Sequence, residues 1–452
     1  MTKKDFLFQL RRGLGSAIIE LQENSERDKY YEIVLRCCLK NIAYDKQVEG
    51  TKSYYLYTAI CALGRNNEIE DVIVNAYTKR LNYGLFMQLT DILYLYAEEG
   101  SEKARNALHK KYQSLLEQLS KQRGFPIKYC EREQFEYLMI CEVTTNKWTT
   151  FKKCISDAGY ISMSRNDDRC NCYDWFLSRS RNVFGKKRID KYISTASNKT
   201  ATIGAFIAAV NELEKEREKH SLLRIEPIVS LESYNTRARE LEKDEYSYER
   251  MYFSAMRFSR QASQKDLLEL TSIIINELSY EIKANLLRVF RYIDFPADIA
   301  PLLEYAKCDF ECLYDIAVDA LGRFKDQRVH DLAIQYLLAG NLDHGLHLLI
   351  RNWHKKDELL IRERVLSTRK ITHSMQQSLR DIYMKYRSKS CGDILEHAYR
   401  CGECTHCRTG IIEAMWKNRV LKTSILNECL YDSNDDTRRI AERIKKVCDK
   451  NT

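Results

Sequence analysis

The residues best suited to chemistry lie in the segment CGDILEHAYRCGECTHCR, residues 391–408. Thiolates spaced three positions apart can converge on one tetrahedral Zn²⁺ ion, which a fourth ligand then completes. The candidate zinc ligands are Cys391, Cys401, Cys404 and Cys407. A nearby histidine, His397 or His406, is the alternative to Cys391 as fourth ligand. Without a metal, the same small thiols at helical spacing would simply face the core.

A second group of functional residue types forms the basic, aromatic segment at residues 173–188. Its cations are Arg179, Arg181, Lys186, Lys187 and Arg188, and Trp175 is among the aromatic residues that flank them. Clustered Lys and Arg neutralise phosphates and aromatic rings stack on bases, so this composition suits a nucleic acid. It suits an acidic protein surface as well. A solvated basic loop above buried rings is the remaining interpretation.

Signatures of catalysis are missing from the sequence. It contains no GxxxxGK[ST], GxGxxG, HExxH or GxSxG motif, and each of these would mark a known kind of active site. Among the nine histidines, His344 and His347 share one helix face and could hold a metal, but His347 aligns within a repeat, which favours a structural or exposed role. The sequence therefore indicates no catalytic residues and favours a binding protein over an enzyme.

Length and composition indicate the kind of fold that must carry these residues. At 452 residues the chain exceeds the length at which a single core keeps growing, so it consists of several domains or of repeats. Only 4 prolines and 16 glycines interrupt it, which favours long helices with short connections. The net charge of +9, from 73 basic and 64 acidic residues, is too mild for its length to identify a partner.

Cysteine usage and hydropathy predict the compartment. Sixteen cysteines are scattered through a chain that begins MTKKDFLFQLRRGLG, without the pattern of an export signal. No apolar run approaches the roughly 18 residues that cross a bilayer. We therefore expect a cytoplasmic protein with reduced thiols and no membrane association, whose oligomeric state the sequence does not indicate.

Internal repetition is clearest in residues 281–362. An offset of thirty places apolar residues on apolar residues, and a further offset of twenty-nine continues the pattern. The matched positions include Leu286 with Ile316, Phe290 with Ala320, Ile299 with Val329, Ala317 with Leu346, and Phe324 with Trp353. Within each unit the apolar residues recur at three and four positions, which predicts two amphipathic helices. Such a pair buries its apolar faces only by stacking on its neighbours.

The amino-acid sequences of these units resemble the short form of the HEAT repeat. In DFECLYDIAVDALGRFKDQRVHDLAIQYL, Asp309 opens the unit and Gly322 closes its first helix. The Ala-Leu-Gly-Arg ending recurs at residues 62–65, and DSNDDTRRIAERI resembles the opening, with Asp435 or Asp436 as helix cap. Asp at a helix start accepts hydrogen bonds from unpaired N–H groups, and Gly at its end permits a left-handed residue.

This resemblance implies an all-α fold, an α-solenoid of stacked antiparallel helix pairs that forms a curved superhelix. It also implies a non-catalytic scaffold or adaptor that binds a macromolecular partner, foremost a protein, on an extended concave surface. The alternative is a nucleic-acid-binding protein. Some HEAT-like proteins are DNA glycosylases that use a carboxylate among aromatic residues, and the dipeptide Asp174-Trp175 is the one feature here that matches them.

Three segments are predicted along the chain. Residues 1–160 are an N-terminal helical-repeat region, residues 161–228 an irregular basic and aromatic insert with a long helix, and residues 229–452 a C-terminal repeat array. A second basic block lies in that array. It contains Arg362, Arg364, Arg369, Lys370, Arg380, Lys385, Arg387 and Lys389. Together with residues 179–188 it would form one basic surface if the two regions met.

Overall fold

A computed structural model describes residues 1–46, 49–121, 129–145, 148–163, 173–222, 229–240 and 247–450. Regular structure in these residues is helical, with no strand beyond one isolated bridge between Ile371 and Gly402. The predicted all-α fold is therefore confirmed for the described part of the chain. No helix among these residues combines the length and the apolar composition needed to cross a membrane.

Twelve helices occupy the first half of the described chain. They are α1 (Lys3–Arg12), α2 (Gly15–Glu23), α3 (Tyr31–Cys38), α4 (Ser53–Leu63), α5 (Asn66–Tyr77), α6 (Tyr83–Glu98), α7 (Glu102–Lys121), α8 (Tyr129–Thr145), α9 (Trp148–Met163), α10 (Asp174–Phe184), α11 (Lys186–Ala196) and α12 (Ala201–Leu222). Most of them are between eight and twenty residues long, as the scarcity of proline and glycine predicts.

The second half continues with helices of similar length. They are α13 (Leu231–Arg239), α14 (Ser247–Gln261), α15 (Gln264–Asn276), α16 (Tyr280–Leu287), α17 (Ala300–Tyr305), α18 (Glu311–Leu321), α19 (Gln327–Leu338), α20 (Leu342–Asn352), α21 (Glu358–Ser367), α22 (His373–Lys385), α23 (Gly392–Cys401), α24 (Thr405–Lys417), α25 (Thr423–Cys429) and α26 (Asp435–Lys450).

The chain divides into two compact units. The first comprises Met1–Leu223 together with Asn427–Arg438, and the second comprises Arg224–Leu426 together with Arg439–Thr452. Ser433 joins the first unit because its backbone N–H donates to the Gly13 carbonyl over 2.9 Å. The predicted division into three segments, 1–160, 161–228 and 229–452, stays a prediction.

Helices of the first unit stack in two layers. Helix α2 packs on α4, α4 on α6, α6 on α8 and α8 on α10, while α5 packs on α7 and α7 on α9. These helices thus meet the helix two places further along the chain as well as an immediate neighbour. That pattern is the packing of an array of helix pairs, in which each pair buries its apolar faces on the next.

The second unit repeats this arrangement. Helices α16, α18, α20, α22 and α24 form one layer in that order, and α19, α21 and α23 form the other. The aligned pairs Leu286 with Ile316 and Ala317 with Leu346 are all fully or almost fully buried, as the repeat register predicts. Polar side chains follow the same period, since Arg328 binds Asp298 with two hydrogen bonds of 3.0 Å across thirty residues. Within each unit the α-solenoid packing is therefore present.

Helix ends differ from the predictions at three places. The sequence predicts one helix over residues 4–23, but Gly13, with φ of 72°, separates α1 from α2. Gly322 is not left-handed, with φ of −58°. It is needed because a Cβ there would lie 2.4 Å from His347 Nε2. Asn434, not Asp435 or Asp436, caps α26, and its side chain accepts from two backbone N–H groups.

Candidate functional site

The turn between α23 and α24 is held against the start of α22. Ile371 forms the isolated bridge with Gly402, and the Gln376 side chain accepts a hydrogen bond of 3.3 Å from the Cys404 backbone N–H. Only glycine fits at position 402, because a Cβ there would lie 2.0 Å from Gln376 Nε2. Two segments that are about thirty residues apart in sequence are therefore locked together at one end of a helix pair.

This contact brings two thiols and one imidazole into a cluster. Ligand atoms of His373, Cys404 and Cys407 all lie within 4.8 Å of one another. Cys407 Sγ is 3.2 Å from His373 Nδ1. Both cysteines are buried, whereas His373 is exposed. We call these three residues the thiol–imidazole cluster.

The charge state of the cluster favours a thiolate. The pKa of Cys404 is well below the ordinary thiol value, because the Cys407 side chain donates a hydrogen bond to it and His373 lies beside it. The pKa of Cys407 is raised in turn, because its proton is held in the hydrogen bond with Cys404. A thiolate is the form of cysteine that binds metals, so one ligand of this cluster is already prepared.

The sequence named only part of this cluster. Cys404 and Cys407 meet as expected, but Cys401 lies outside the group, with its Sγ 3.9 Å from His397 Nδ1. Cys391 is buried at the opposite end of α23 from Cys401, which a ten-residue helix places about 15 Å away. Cys391 is therefore not brought to the cluster.

His373 is the ligand candidate that sequence reasoning missed. It lies 31 positions before Cys404, which is one repeat length in this chain. In a helical array, residues one repeat apart occupy equivalent places on stacked helices and so lie close together. The repeat period, applied to the cysteine cluster, was the signal that could have found this histidine.

Other histidines serve as partners between repeats. His330 Nε2 lies 3.1 Å from the buried Asp357 carboxylate, which also accepts a 2.7 Å hydrogen bond from the His354 backbone. His344 lies 3.2 Å from Asp315, and Asp319 is the carboxylate nearest to His347. These contacts agree with the structural role predicted for the histidines at 344 and 347.

The basic, aromatic segment forms two short helices, α10 and α11. Arg181 donates two hydrogen bonds to Asp190, of 3.1 and 3.0 Å, and the Arg188 guanidinium lies over the Trp148 ring at 4.3 Å. Trp175 is half exposed and stacks on Tyr137. Exposed side chains without a described partner remain at Arg179, Lys186 and Lys187. Asp174, of the dipeptide that matched glycosylases, is partly buried at the start of α10.

A groove in the second unit lies at the far ends of α22 and α24 and along α26. Its volume is about 870 Å³. Its apolar lining consists of Met384, Trp416, Leu421, Ile440, Ile444 and Val447. Charged residues of the lining are Arg387, Lys417, Arg419 and Arg443, with Glu413 as the only acid. We call this feature the C-terminal groove.

The cations of the C-terminal groove have no ion-pair partner in the described part of the chain. Three of the eight cations of the second basic block are, in contrast, paired with carboxylates. Arg362 binds Asp393 at 2.6 Å, Lys370 binds Glu403 at 3.1 Å and Arg380 binds Asp381 at 2.7 Å. Arg387 is the member of the second basic block that lines the C-terminal groove.

Arg419 has an unusual backbone conformation for an arginine. Its φ is 60°, and it is the one non-glycine residue with positive φ in the described ranges. It ends α24, where the Arg419 N–H donates to Trp416 and the Val420 N–H donates to Met415, each over 3.0 Å. Glycine is the residue that helix ends of this kind prefer, since other side chains are strained there. The arginine side chain is thus retained on the groove at a cost in stability.

Comparisons with known proteins do not assign this chain to a family. No protein-family model matches the chain, and no curated protein matches it. One solved structure that is similar is a crystal structure of importin beta in a polyethylene glycol condition. Sequence identity is 11%, the TM-score is 0.22, and the match covers 89% of this chain and 54% of that one. The chain thus spans about half of that protein's length, and the fold assignment rests on the helix packing described above.

Proposed function

We propose that this chain is a non-catalytic helical-repeat scaffold that binds an acidic, amphipathic helix of a protein partner in the C-terminal groove. The observation that carries the proposal is Arg419, a strained arginine kept at the rim of an apolar groove where glycine would be more stable. Strained backbone that persists in a fold is concentrated at binding sites.

The apolar lining has the form that receives a helix. Ile440, Ile444 and Val447 follow one another at four and three positions and so share one face of α26. Trp416 is 41% exposed and Val447 is 47% exposed, which is unusual for large apolar side chains beside a groove. Amphipathic helices bind by laying their apolar face in such a groove, and tryptophan is a frequent energetic centre of the resulting interface.

The charged residues of the groove lining favour a partner segment with negative charge. Four cations and one acid give the lining a net charge of about +3, so carboxylates on a partner would be attracted and aligned. A nucleic-acid strand would need several stacked rings along its path. Trp416 is the only aromatic ring in the groove lining. The composition therefore favours an acidic protein segment over a nucleic acid.

A direct test measures binding of the full chain to a synthetic helical peptide by fluorescence anisotropy. The probe has about 18 residues, roughly five turns, with Leu on one face and Glu beside it. The matched control replaces each Glu by Lys and keeps the Leu face. We expect the acidic peptide to bind at least tenfold more tightly, and Trp416 emission to shift to shorter wavelength on binding.

Two results would contradict the proposal. One is equal affinity for the acidic and basic peptides. The other is absence of peptide binding together with tight, steeply salt-dependent binding of single-stranded RNA or DNA, since that salt dependence reports phosphate contacts. The second result would support the nucleic-acid alternative and would direct attention to Arg179, Lys186 and Lys187.

A further inference from the structure

Two stacked helices connect the thiol–imidazole cluster with the C-terminal groove. Helices α22 and α24 each have 13 residues and pack on one another. His373 is the first residue of α22, and Cys404 directly precedes α24. At their other ends, Met384 of α22 and Trp416 of α24 line the groove. The two helices are therefore parallel and about 20 Å long, with the cluster at one end and the groove at the other.

We propose that His373, Cys404 and Cys407 form a zinc site that fixes the start of α22 to the start of α24. Two thiolates and one imidazole are a ligand set that selects Zn²⁺ over hard cations such as Mg²⁺ and Ca²⁺. On binding, each thiol that is still protonated releases its proton to solvent, and two Zn–S bonds and one Zn–N bond form.

The described geometry is close to that of a formed site. Bond lengths of about 2.3 Å to sulfur and about 2.0 Å to nitrogen require ligand atoms roughly 3.5 to 3.8 Å apart in a tetrahedron. The three atoms are all within 4.8 Å of one another, and Cys407 Sγ and His373 Nδ1 are 3.2 Å apart. Side-chain movements of about 1 Å, without any change of the helices, would therefore bring these atoms to three of the four coordination positions of a tetrahedral zinc ion.

The fourth position is taken by a water molecule or by Cys401, whose side chain would have to turn away from His397 Nδ1, 3.9 Å from its Sγ. Cys401 is three residues before Cys404 in the same turn and is only partly buried. The backbone of this turn is already anchored, since Ile371 N–H donates to the Cys401 carbonyl over 3.5 Å. The buried Nε2 group of Gln376, which lacks a hydrogen-bond partner in the described structure, is available as a second donor near the turn. Donors around a metal's ligands commonly stabilise thiolates.

Metal content tests the site without reference to any partner. Full-length protein, purified without chelator, is expected to contain one zinc per chain by elemental analysis. Substitution of cobalt should give thiolate-to-metal charge-transfer absorption. His373→Ala and Cys404→Ser should each weaken zinc binding at least about 100-fold in competition with a chelator.

A matched control separates loss of a ligand from loss of a cysteine. Cys391→Ser removes an equally buried thiol outside the cluster and should keep full zinc content. His373→Cys supplies a different zinc ligand at the same place and should restore binding that His373→Ala loses. If His373→Ala unfolds the protein, the Cys variant still reports on the site, because a three-thiolate set changes the cobalt spectrum.

The outcomes that overturn the site are definite. They are purified protein without zinc that also fails to take up cobalt under reducing conditions, and zinc loss in Cys391→Ser but not in His373→Ala. None of them depends on the groove, so failure here is distinguishable from failure of the proposed function.

A consequence for partner binding follows, and this step rests on the proposed function. Zinc removal would leave only the Ile371–Gly402 bridge and the Gln376–Cys404 hydrogen bond at the starts of α22 and α24, so the far ends that hold Met384 and Trp416 would be fixed less firmly. We expect the chelated protein to bind the acidic peptide about 3- to 10-fold more weakly, with full recovery on adding zinc. Zinc-loaded and zinc-free protein with equal peptide affinity would overturn this link.

Discussion

The basic segment of α10 and α11 and the C-terminal groove both contain several cations, yet they differ in how those cations are placed. In the segment, Arg181 is bound to Asp190 and Arg188 lies on Trp148, so its charge is partly neutralised by its own neighbours. In the groove, Arg387 follows the end of α22 and Arg443 lies in α26, and both face an apolar surface without a described ion-pair partner. The proposed binding site therefore rests on unpaired charge beside exposed apolar surface, and not on the density of charge along the sequence.

The largest difference in peptide affinity is expected when equal charge is removed from the C-terminal groove and from the basic, aromatic segment. The groove variant carries Arg387→Ala, Lys417→Ala and Arg443→Ala. The matched variant carries Arg179→Ala, Lys186→Ala and Lys187→Ala. At about 0.7 kcal/mol for each exposed charge pair, the groove variant should bind the acidic peptide about 30-fold more weakly, and the segment variant within about 2-fold. Anisotropy titrations at one salt concentration measure both, and equal losses would refute the distinction.

The stability of the basic, aromatic segment depends on pH, because a buried carboxyl group, Glu136, contacts the start of α10. Burial raises the pKa of Glu136 to about 7, even though its carboxylate accepts a 2.9 Å hydrogen bond from the Phe176 N–H at the start of α10. Because the folded-state pKa lies above the unfolded value, this group's stabilising contribution is full below pH of about 4.5 and is lost as pH rises through about 7.

Glu136→Gln should therefore stabilise α8 and α10 by about 2 kcal/mol at pH 8 and have little effect near pH 5. Gln keeps an oxygen acceptor for the Phe176 N–H and removes the buried charge. Hydrogen exchange of peptides from α8 and α10 at the two pH values measures the change, with peptides from α22 as the internal control. A larger stabilisation at the acidic pH would contradict the sign.

Arg419 allows stability and binding to be separated within the groove. Arg419→Gly should relieve the left-handed strain and raise the free energy of unfolding of the second unit by about 1 kcal/mol. The same change should weaken acidic-peptide binding about 3-fold, because one cation is lost.

The matched variant is Arg443→Gly, which removes an equally exposed groove cation from the interior of α26. It should weaken binding similarly but lower stability by about 1 kcal/mol, since glycine is unfavourable inside a helix. Thermal unfolding compares the two, and the same direction of change in both variants would show that Arg419 is not strained.

The smallest expected effect concerns the ion pair that neutralises part of the basic segment. Arg181 and Asp190 are 39% and 40% exposed, so solvent screens their attraction. A double-mutant cycle with Arg181→Ala and Asp190→Ala should give a coupling energy of about 0.5 kcal/mol. A coupling near zero would mean that Arg181 is as available as Arg179, and the contrast with the groove would be weaker.

Several features of the fold were accessible from the sequence. The offset that aligned Leu286 with Ile316 was confirmed by their burial, and the glycine predicted to end the helix at Gly64 has φ of 79°. These features depend on neighbours within one or two helical turns, and such interactions are determined by local sequence. Gly322 shows the limit, because its role is set by the His347 ring from the next repeat.

The candidate sites were accessible only in part. CxxC spacing identified Cys404 and Cys407, because both belong to one turn of chain, but the same reasoning added Cys391, which helix α23 carries to its other end. His373 could not be chosen among nine histidines by local spacing. The C-terminal groove left no local signature, since its residues come from α22, α24, the connections that follow these two helices, and α26.

The sequence by itself determined that this chain is helical, that its helices pair, and that about thirty residues separate equivalent positions, because apolar periodicity and capping act within a few residues. Tertiary structure alone decided which side chains of successive repeats meet. That choice depends on the stacking of whole helices, through which His373 reaches Cys407 and Arg387 reaches the groove beside Arg443. These contacts between residues of different repeats, more than the clusters of residues along the sequence, define the sites proposed for this protein.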